Sequence, residues 1–399
     1  MQGHPEWRSA VAITCSLAVI FIAILWNLRK GTSKKSIRAK GDDKNEIKQM
    51  NETSNCQNNV NKKVDQAECP SNDTIPELPN PKWVKVGQIQ ELYMYPLKSG
   101  RGKDLKECHF TECGISLESE GRFTLRDRMF LVYNEETSRF QTARHYPTLL
   151  LVSLSAVDEL KVKLEAVGMP SVVFRVPNRP EDGSEAIQCT MWWGEPVKCI
   201  DCGPEPAEWL SRFLTGTNSG LRLGCALIGE RRNVFAHPWE KFTKVYKTLR
   251  SEDTGLLSDL ASYMLMTTGS VEQLNEKLDR PVPALQFRPN ILVSSEKAFA
   301  EDSWEWMKIG EHAVIRNVKP CTRCRLVKVN PETGTMDEEE PLKTLKSFRE
   351  QIDDERISVD GKAPTLGIYC GLYIAGKVNI GDDVFVHESS DSIVESNHQ

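Results

Sequence analysis

Residues 319–329 read KPCTRCRLVKV, a C-x-x-C pair with an arginine on each side of the second cysteine. Thiols at this spacing serve three chemistries. A structural zinc site needs four ligands, and a second C-x-x-C pair stands at Cys199 and Cys202. The two pairs are 119 residues apart (321 minus 202), whereas a zinc ribbon separates its pairs by about 15–20. A redox dithiol of the thioredoxin kind sits at a helix N-terminus after a strand, but RLVKV after Cys324 is alternating and β-branched and predicts a strand. The third chemistry uses Cys324 alone. Arg323 and Arg325 would favour its thiolate, a soft ligand for a soft or high-valent metal. Taken by itself, the stretch reads more plainly as a buried thiol at a strand start.

Three other stretches place basic residues at strand ends. In YPLKSGRG (95–102), Lys98 and Ser99 precede glycines, which offers a phosphate a point charge, a hydroxyl and open backbone amides. In LRDRMFLV (125–132), Arg126 and Arg128 fall on one side of a strand and Asp127 on the other. In QFRPNILVS (286–294), a proline holds Arg288 extended and Asn290 opens a strand. Each alone reads as a surface charge or an ion pair. Together they suggest an anionic ligand gripped by several basic strand ends. The sequence has no P-loop, heptad or internal repeat.

The elements that must carry these residues are mostly strands. Runs over 85–97, 128–134, 148–155, 172–177, 262–268, 290–294, 312–318, 325–330 and two within 370–386 carry strand patterns. Helices are expected over 206–214 and over 270–278, the second with Ser270 as N-cap and Gln273 completing a capping box. The fold class is α+β and β-rich, in two domains over 81–215 and 216–390 with a disordered tail over 391–399. A net charge of −5 gives no argument for nucleic acid.

Residues 9–28 contain no charge and are long enough to cross a bilayer as a helix. They predict a retained N-terminal anchor over 1–28 rather than a cleaved signal. One basic residue, Arg8, precedes the apolar run; Arg29, Lys30, Lys34, Lys35, Arg38 and Lys40 follow it, which keeps the rest of the chain in the cytosol. The polar stretch 29–80 reads as a flexible tether. In a cytosolic setting the twelve cysteines read as thiols or ligands rather than disulfides.

The order of YPLKSGRG, LRDRMFLV with QTARHYP, QFRPNILV, EDSWEWMKIG, KPCTRCRLVKVNPETG and GDDVFV resembles the MOSC family. The half before it resembles the β-barrel domain that often precedes MOSC, and together the likeness covers about residues 83–386. The resemblance implies a MOSC β-barrel domain after an N-terminal one, holding the molybdenum cofactor, Mo-molybdopterin. It implies Cys324 as the molybdenum ligand and Cys321 as a non-ligand. Lys98, Ser99, Arg128, Arg288, Asn290, Thr322 and Arg323 match cofactor-binding positions, and Tyr369 matches an aromatic near the pocket. Asp259, in LSDLAS, matches an aspartate lining the site, with Leu260 and Ala261 standing where relatives carry hydroxylated residues. The implied activity is reduction of N-hydroxylated substrates (amidoximes, hydroxylamines, nitrite). The chain has no ferredoxin-type cysteine cluster and no Rossmann fingerprint, so electrons must come from outside. The family draws them from NADH through cytochrome b5 reductase and cytochrome b5. The implied location is the outer mitochondrial membrane, with the endoplasmic reticulum or peroxisome as alternatives. A sulfur-carrying, cofactor sulfurase-like protein and a cofactor carrier without turnover are the rival readings.

Overall fold

Seven strands close into a barrel: β1 (Trp83–Met94), β2 (Tyr263–Thr267), β3 (Ile291–Val293), β4 (Trp306–Ile309), β5 (Ala313–Thr322), β6 (Thr365–Ile374) and β7 (Asp383–His387). Around the barrel the order is β3-β2-β6-β5-β4-β7-β1, and β1 pairs with β3 to complete the ring. Every pairing is antiparallel except β2 with β3. The computed structural model describes residues 74–75, 78–79, 81–177, 186–191 and 193–387. The anchor, most of the tether and the tail over 391–399 lie outside the described residues. No helix among the described residues is long and apolar enough to cross a membrane.

The barrel interior follows from residue alternation. Ile89, Leu265, Ile291, Met307, Ile309, Ile315, Ile368 and Val384 point inward and are essentially inaccessible. The first half of the chain builds sheets of its own. One has five strands in the order Ile187–Thr190, Pro196–Asp201, Leu221–Ala226, Phe130–Asn134, Phe140–Gln141. The helix Pro204–Thr215 packs on Leu221–Ala226 and buries Trp209 and Leu210. The halves also exchange strands. The N-terminal β1 closes the barrel of the second half, and Gly376–Asn379 pairs with Glu107–Thr111 of the first.

At the β1–β3 seam the strands approach so closely that a Cβ on Gly87 would lie 1.8 Å from the carbonyl oxygen of Ser294. Gly87→Ala is therefore expected to destabilise the protein by about 3 kcal/mol or more, because backbone rather than a side chain must yield. A urea midpoint unchanged by this substitution would contradict the closure.

Several expected elements differ from those observed. RLVK (Arg325–Lys328) is a short 3-10 helix, not a strand: Cys324 is extended, and its carbonyl accepts from the Val327 amide (3.2 Å), which turns Val327 into the core. Pro147–Leu151 is likewise a 3-10 helix, with proline in its first turn, and the strand starts only at Ser153. The helix expected from Ser270 starts at Thr268, capped by the Thr267 side chain accepting from the Ser270 amide. Its hydroxyl and that of Ser270 both bond buried Glu301.

Candidate functional site

A cleft at one end of the barrel is lined by all ten residues singled out from the sequence: Lys98, Ser99, Arg128, Asp259, Arg288, Asn290, Thr322, Arg323, Cys324 and Tyr369. Each arrives on a different part of the scaffold. Lys98 and Ser99 follow β1, Arg128 sits in the turn after Leu125–Arg126, and Asp259 lies in the loop before β2. Arg288 and Asn290 flank the start of β3, β5 runs out through Thr322 to Arg323 and Cys324, and Tyr369 lies on β6.

Three of these residues are held at positive φ: Ser99 at 61°, Arg128 at 47° and Arg288 at 58°. Such strain costs on the order of 1–3 kcal/mol per residue and gathers at ligand clamps. It also corrects two expectations. Arg288 is left-handed rather than extended before Pro289, and the left-handed turn at Arg128 separates it from Arg126. Arg126 instead bonds Thr111 Oγ1 (3.3 Å) and does not line the cleft.

The strained turns bring two guanidiniums onto one ring, with Arg128 and Arg288 lying 4.4 and 4.1 Å from the centroid of buried Tyr95. The Tyr95 hydroxyl donates to the Pro289 carbonyl (3.0 Å), which locks the ring in place. Arg128 donates to Asp127 and to Asn290 Oδ1 (3.0 Å). Arg288 donates from Nη1 to the Gly100 carbonyl (2.7 Å), while its Nη2 is buried with no protein partner. Burial, with help from Arg128, pushes the Arg288 guanidinium down to about 10. A desolvated cation with an orphaned donor is costly unless an anion completes it. The residues present therefore fit a phosphate-bearing cofactor.

Arg323 does something other than its place beside Cys324 suggested. It is buried, and its guanidinium donates to the carbonyls of Leu366 and Phe287 and to Met264 Sδ. It therefore fastens the end of β5 to β6 and to the turn before Arg288. Cys324 is the one exposed thiol among the nine described cysteines, whereas Cys321 is buried. The flanking arginines do not make Cys324 an easy thiolate. The cleft walls surround a sulfur that is still open to the cleft, and desolvation raises its pKa, with Arg144 the foremost opposing charge. The other C-x-x-C pair lies in the five-stranded sheet region, where Cys199 packs on Cys189 with their sulfurs 3.1 Å apart.

Lys98 Nζ contacts Asp259 Oδ1 at 2.5 Å and lies near the rings of Phe140 and Trp193. Burial pushes the Lys98 ammonium from 10.5 down to about 8, with Asp259 pulling the other way. Asp259 itself is held below the usual carboxylate range: desolvation opposes its ionisation, but Lys98 and then Arg144 outweigh it. Between pH 8 and 10.5 the unfolded chain keeps a proton that folded Lys98 has released, so stability rises with pH across that window. Relative to Lys98→Met, the cofactor-free wild type is expected to gain about 3 kcal/mol over this range. Urea unfolding of both proteins at several pH values measures it. Parallel pH profiles would show that the lysine is not desolvated.

Sequence reasoning assigned no role to Phe140, Thr142, Arg144, Ser258, Met264, Gln286 or Phe287, which also line the cleft. Arg144 lies in QTARHYP, a stretch that carried the resemblance, and an arginine in a turn just before a proline-led helix was the available signal.

Comparison with known proteins gives the family. The MOSC domain matches residues 253–385, and the MOSC N-terminal beta barrel domain matches residues 86–217. The mouse protein named mitochondrial amidoxime-reducing component 1 is 34% identical over 302 residues, covering 76% of this chain and 83% of that protein. Its human counterpart is 32% identical over the same shares. The bovine mitochondrial amidoxime reducing component 2 is 31% identical over 75% of this chain and 83% of its own length. With both domains matched in order and relatives aligned over most of their length, the chain belongs to the MOSC family, among the relatives of the mitochondrial amidoxime-reducing components.

Proposed function

We propose that the chain binds Mo-molybdopterin in this cleft and reduces N-hydroxylated substrates such as amidoximes and hydroxylamines. The observation that carries the reading is the convergence of Cys324, the one exposed thiol among the described residues, with a desolvated two-arginine seat on Tyr95. Cys324 would ligate the metal. Arg128 and Arg288 would hold the anionic end of the pterin, with Ser99, Asn290 and Thr322 contributing polar contacts and Lys98 and Asp259 forming an ionised pair in the wall. When bound, the cofactor supplies two-electron removal of oxygen from a nitrogen–oxygen bond. The protein's part is orientation. Arg323 fixes the β5 end that presents Cys324, and Phe140 and Tyr369 narrow the cleft around it.

The electrons are proposed to come from NADH through cytochrome b5 reductase and cytochrome b5. The names of the relatives support a mitochondrial location. The apolar segment 9–28 and the basic residues after it support a membrane anchor with the catalytic part in the cytosol, and the outer mitochondrial membrane is proposed from the family resemblance. An anchor shared with membrane-bound electron donors raises their effective concentration. The test is molybdenum and pterin analysis of the chain purified from a cofactor-competent host, followed by reconstitution with cytochrome b5, its reductase and NADH. About one molybdenum per chain, as a single thiolate ligand implies, together with NADH oxidation on adding benzamidoxime is expected. Folded protein without molybdenum would overturn the reading. Loaded protein without turnover would leave a cofactor carrier.

A further inference from the structure

We infer that Arg232, which lies outside the cleft, is a positioning residue: it holds the backbone of Ser258 and Asp259 from behind and so sets where the Asp259 carboxylate meets Lys98. The inference deepens the reductase reading and rests on it for its consequence in the cleft. Arg232 is not among the residues lining the cleft and sits in the connection between Leu221–Ala226 and the helix Glu240–Val245. Its guanidinium faces two ways. Toward the first half of the chain, Nε and Nη2 donate to the two carboxylate oxygens of Glu195 (2.9 and 2.7 Å), and both side chains are buried. Toward the loop before β2, Nη1 donates to the Ser258 carbonyl (2.7 Å) and Nη2 to the Asp259 carbonyl (3.0 Å). Glu195 also accepts from Trp193 Nε1 (2.7 Å), and the Trp193 ring lies 5.8 Å from Arg232 and 5.5 Å from Lys98 Nζ.

The loop needs such a hold. A bridge between Thr254 and Ala261 closes its base, and the Leu257 amide donates to the Arg128 carbonyl (3.1 Å), but the Asp259 side chain is 50% exposed against 6% for Lys98. A half-open carboxylate has other rotamers to visit, and holding it in one geometry costs entropy. The contact with Lys98 persists where the main chain beneath it is fixed. Two carbonyls and a carboxylate presented to one cation call for the planar fork of arginine, which a lysine does not reproduce. A buried ion pair adds little net stability over apolar side chains of the same size. What the Glu195–Arg232 pair supplies is donors aimed at two backbone oxygens of the cleft wall.

The test needs no cofactor. In the full chain made in a host lacking the cofactor pathway, pulsed acetylation across pH with peptide mass mapping reads the titration midpoint of Lys98. The charges acting on Lys98 are Asp259, Arg232 and Arg128, so removing Arg232 alone mixes its charge with its hold on the loop. A double-mutant cycle separates the two. Asp259→Asn is expected to move the midpoint down by about one pH unit in the wild-type background, and by much less in Glu195→Gln/Arg232→Met. That paired substitution removes both buried charges together, so neither is stranded, and the glutamine keeps an acceptor for Trp193. Arg232→Lys, the milder variant, keeps the charge without the fork and is also expected to shrink the shift. Equal shifts in all backgrounds overturn the inference, because Arg232 then acts by charge or on the fold at large; so does the absence of a shift in the wild-type background. In the loaded protein, Glu195→Gln/Arg232→Met is expected to lower molybdenum retention on dialysis about threefold, a coupling at the low end for neighbouring residues, and to add nothing in Asp259→Asn; additive losses overturn the inference. A wild type that holds no molybdenum fails the reductase reading, while the Lys98 shifts still decide the role of Arg232.

Discussion

Cys324→Ser is expected to lower N-hydroxyl reduction by orders of magnitude, and Cys321→Ser to leave most of it intact. The two thiols are three positions apart but differ in environment. Cys324 opens to the cleft at the end of β5, beyond the last ladder pair of Thr322 with Thr365. Cys321 is buried in an apolar cluster with Met264, Phe287, Val327 and Leu366. Serine at Cys324 replaces a soft ligand by a harder oxygen donor. That change acts on the metal's electronics while leaving the pterin seat, built from other strands, in place. Because Cys324 is exposed, the fold should lose no more than about 0.5 kcal/mol.

The effects of Cys321→Ser should run the other way. The thiol there makes only a weak contact with the Thr322 carbonyl at 4.0 Å and an interaction with the Tyr369 side chain, so burying the more polar hydroxyl in that cluster should cost about 1–3 kcal/mol. Activity per bound molybdenum should survive. Melting temperature, molybdenum content and a sulfur-sensitive X-ray absorption spectrum on both variants separate the effects. Loss of the thiolate signal in Cys321→Ser, with its retention in Cys324→Ser, would reverse the assignment. Equal loss of metal in both would mean that the two cysteines act together.

Much of this site was legible because its chemistry is carried by residues at the ends of strongly patterned strands. β3 is an apolar run, β2 is one that ends in Thr267, and β5 ends in the cysteine stretch, so residue types singled out Lys98, Ser99, Arg128, Arg288, Asn290, Arg323 and Cys324, while Asp259, Thr322 and Tyr369 came only from the family resemblance. The rest depended on backbone conformations that pattern does not encode. Arg288 was read as extended because a following proline disfavours the helical region, yet the left-handed region remained open, and the chain adopts it to lay the guanidinium on Tyr95. RLVKV alternates like a strand but forms a helical turn, in which Val327 and Val329 are both buried, each in a different apolar cluster. The influence of Arg323 on Cys324 was overread. Adjacency in sequence says nothing about where a long side chain ends, and this one ends on the carbonyls of Leu366 and Phe287. Arg144 was passed over for the converse reason: it lies far from Cys324 in sequence and close to it in space. The exchange of β1 between halves was hidden too, since a strand's pattern shows which face is apolar but not which sheet it joins.

Arg288→Ala is expected to weaken cofactor retention by about 10- to 150-fold while leaving the cofactor-free fold near wild-type stability. The magnitude is that of one charge-assisted hydrogen bond to an anion, about 1.5–3 kcal/mol, converted at about 1.4 kcal/mol per decade. Stability should change little because the losses and gains oppose each other. Truncation removes the bond to the Gly100 carbonyl and the stacking on Tyr95, but it also removes a buried cation whose Nη2 has no partner. The residue stays in the left-handed region either way, so that strain is common to both proteins. Arg288→Lys should fall between the two, since it keeps the charge without the planar fork. Arg126→Ala is the internal control: it lies two residues from Arg128 in sequence, bonds Thr111 outside the cleft, and should hold its cofactor as the wild type does. The measurement is molybdenum and pterin content after dialysis of the loaded proteins, alongside urea unfolding of the cofactor-free ones. Full occupancy in Arg288→Ala would remove Arg288 from the seat. Equal losses in Arg288→Ala and Arg126→Ala would mean that retention tracks the protein's overall positive charge and not this arginine pair, because only Arg288 has an orphaned donor facing the cleft.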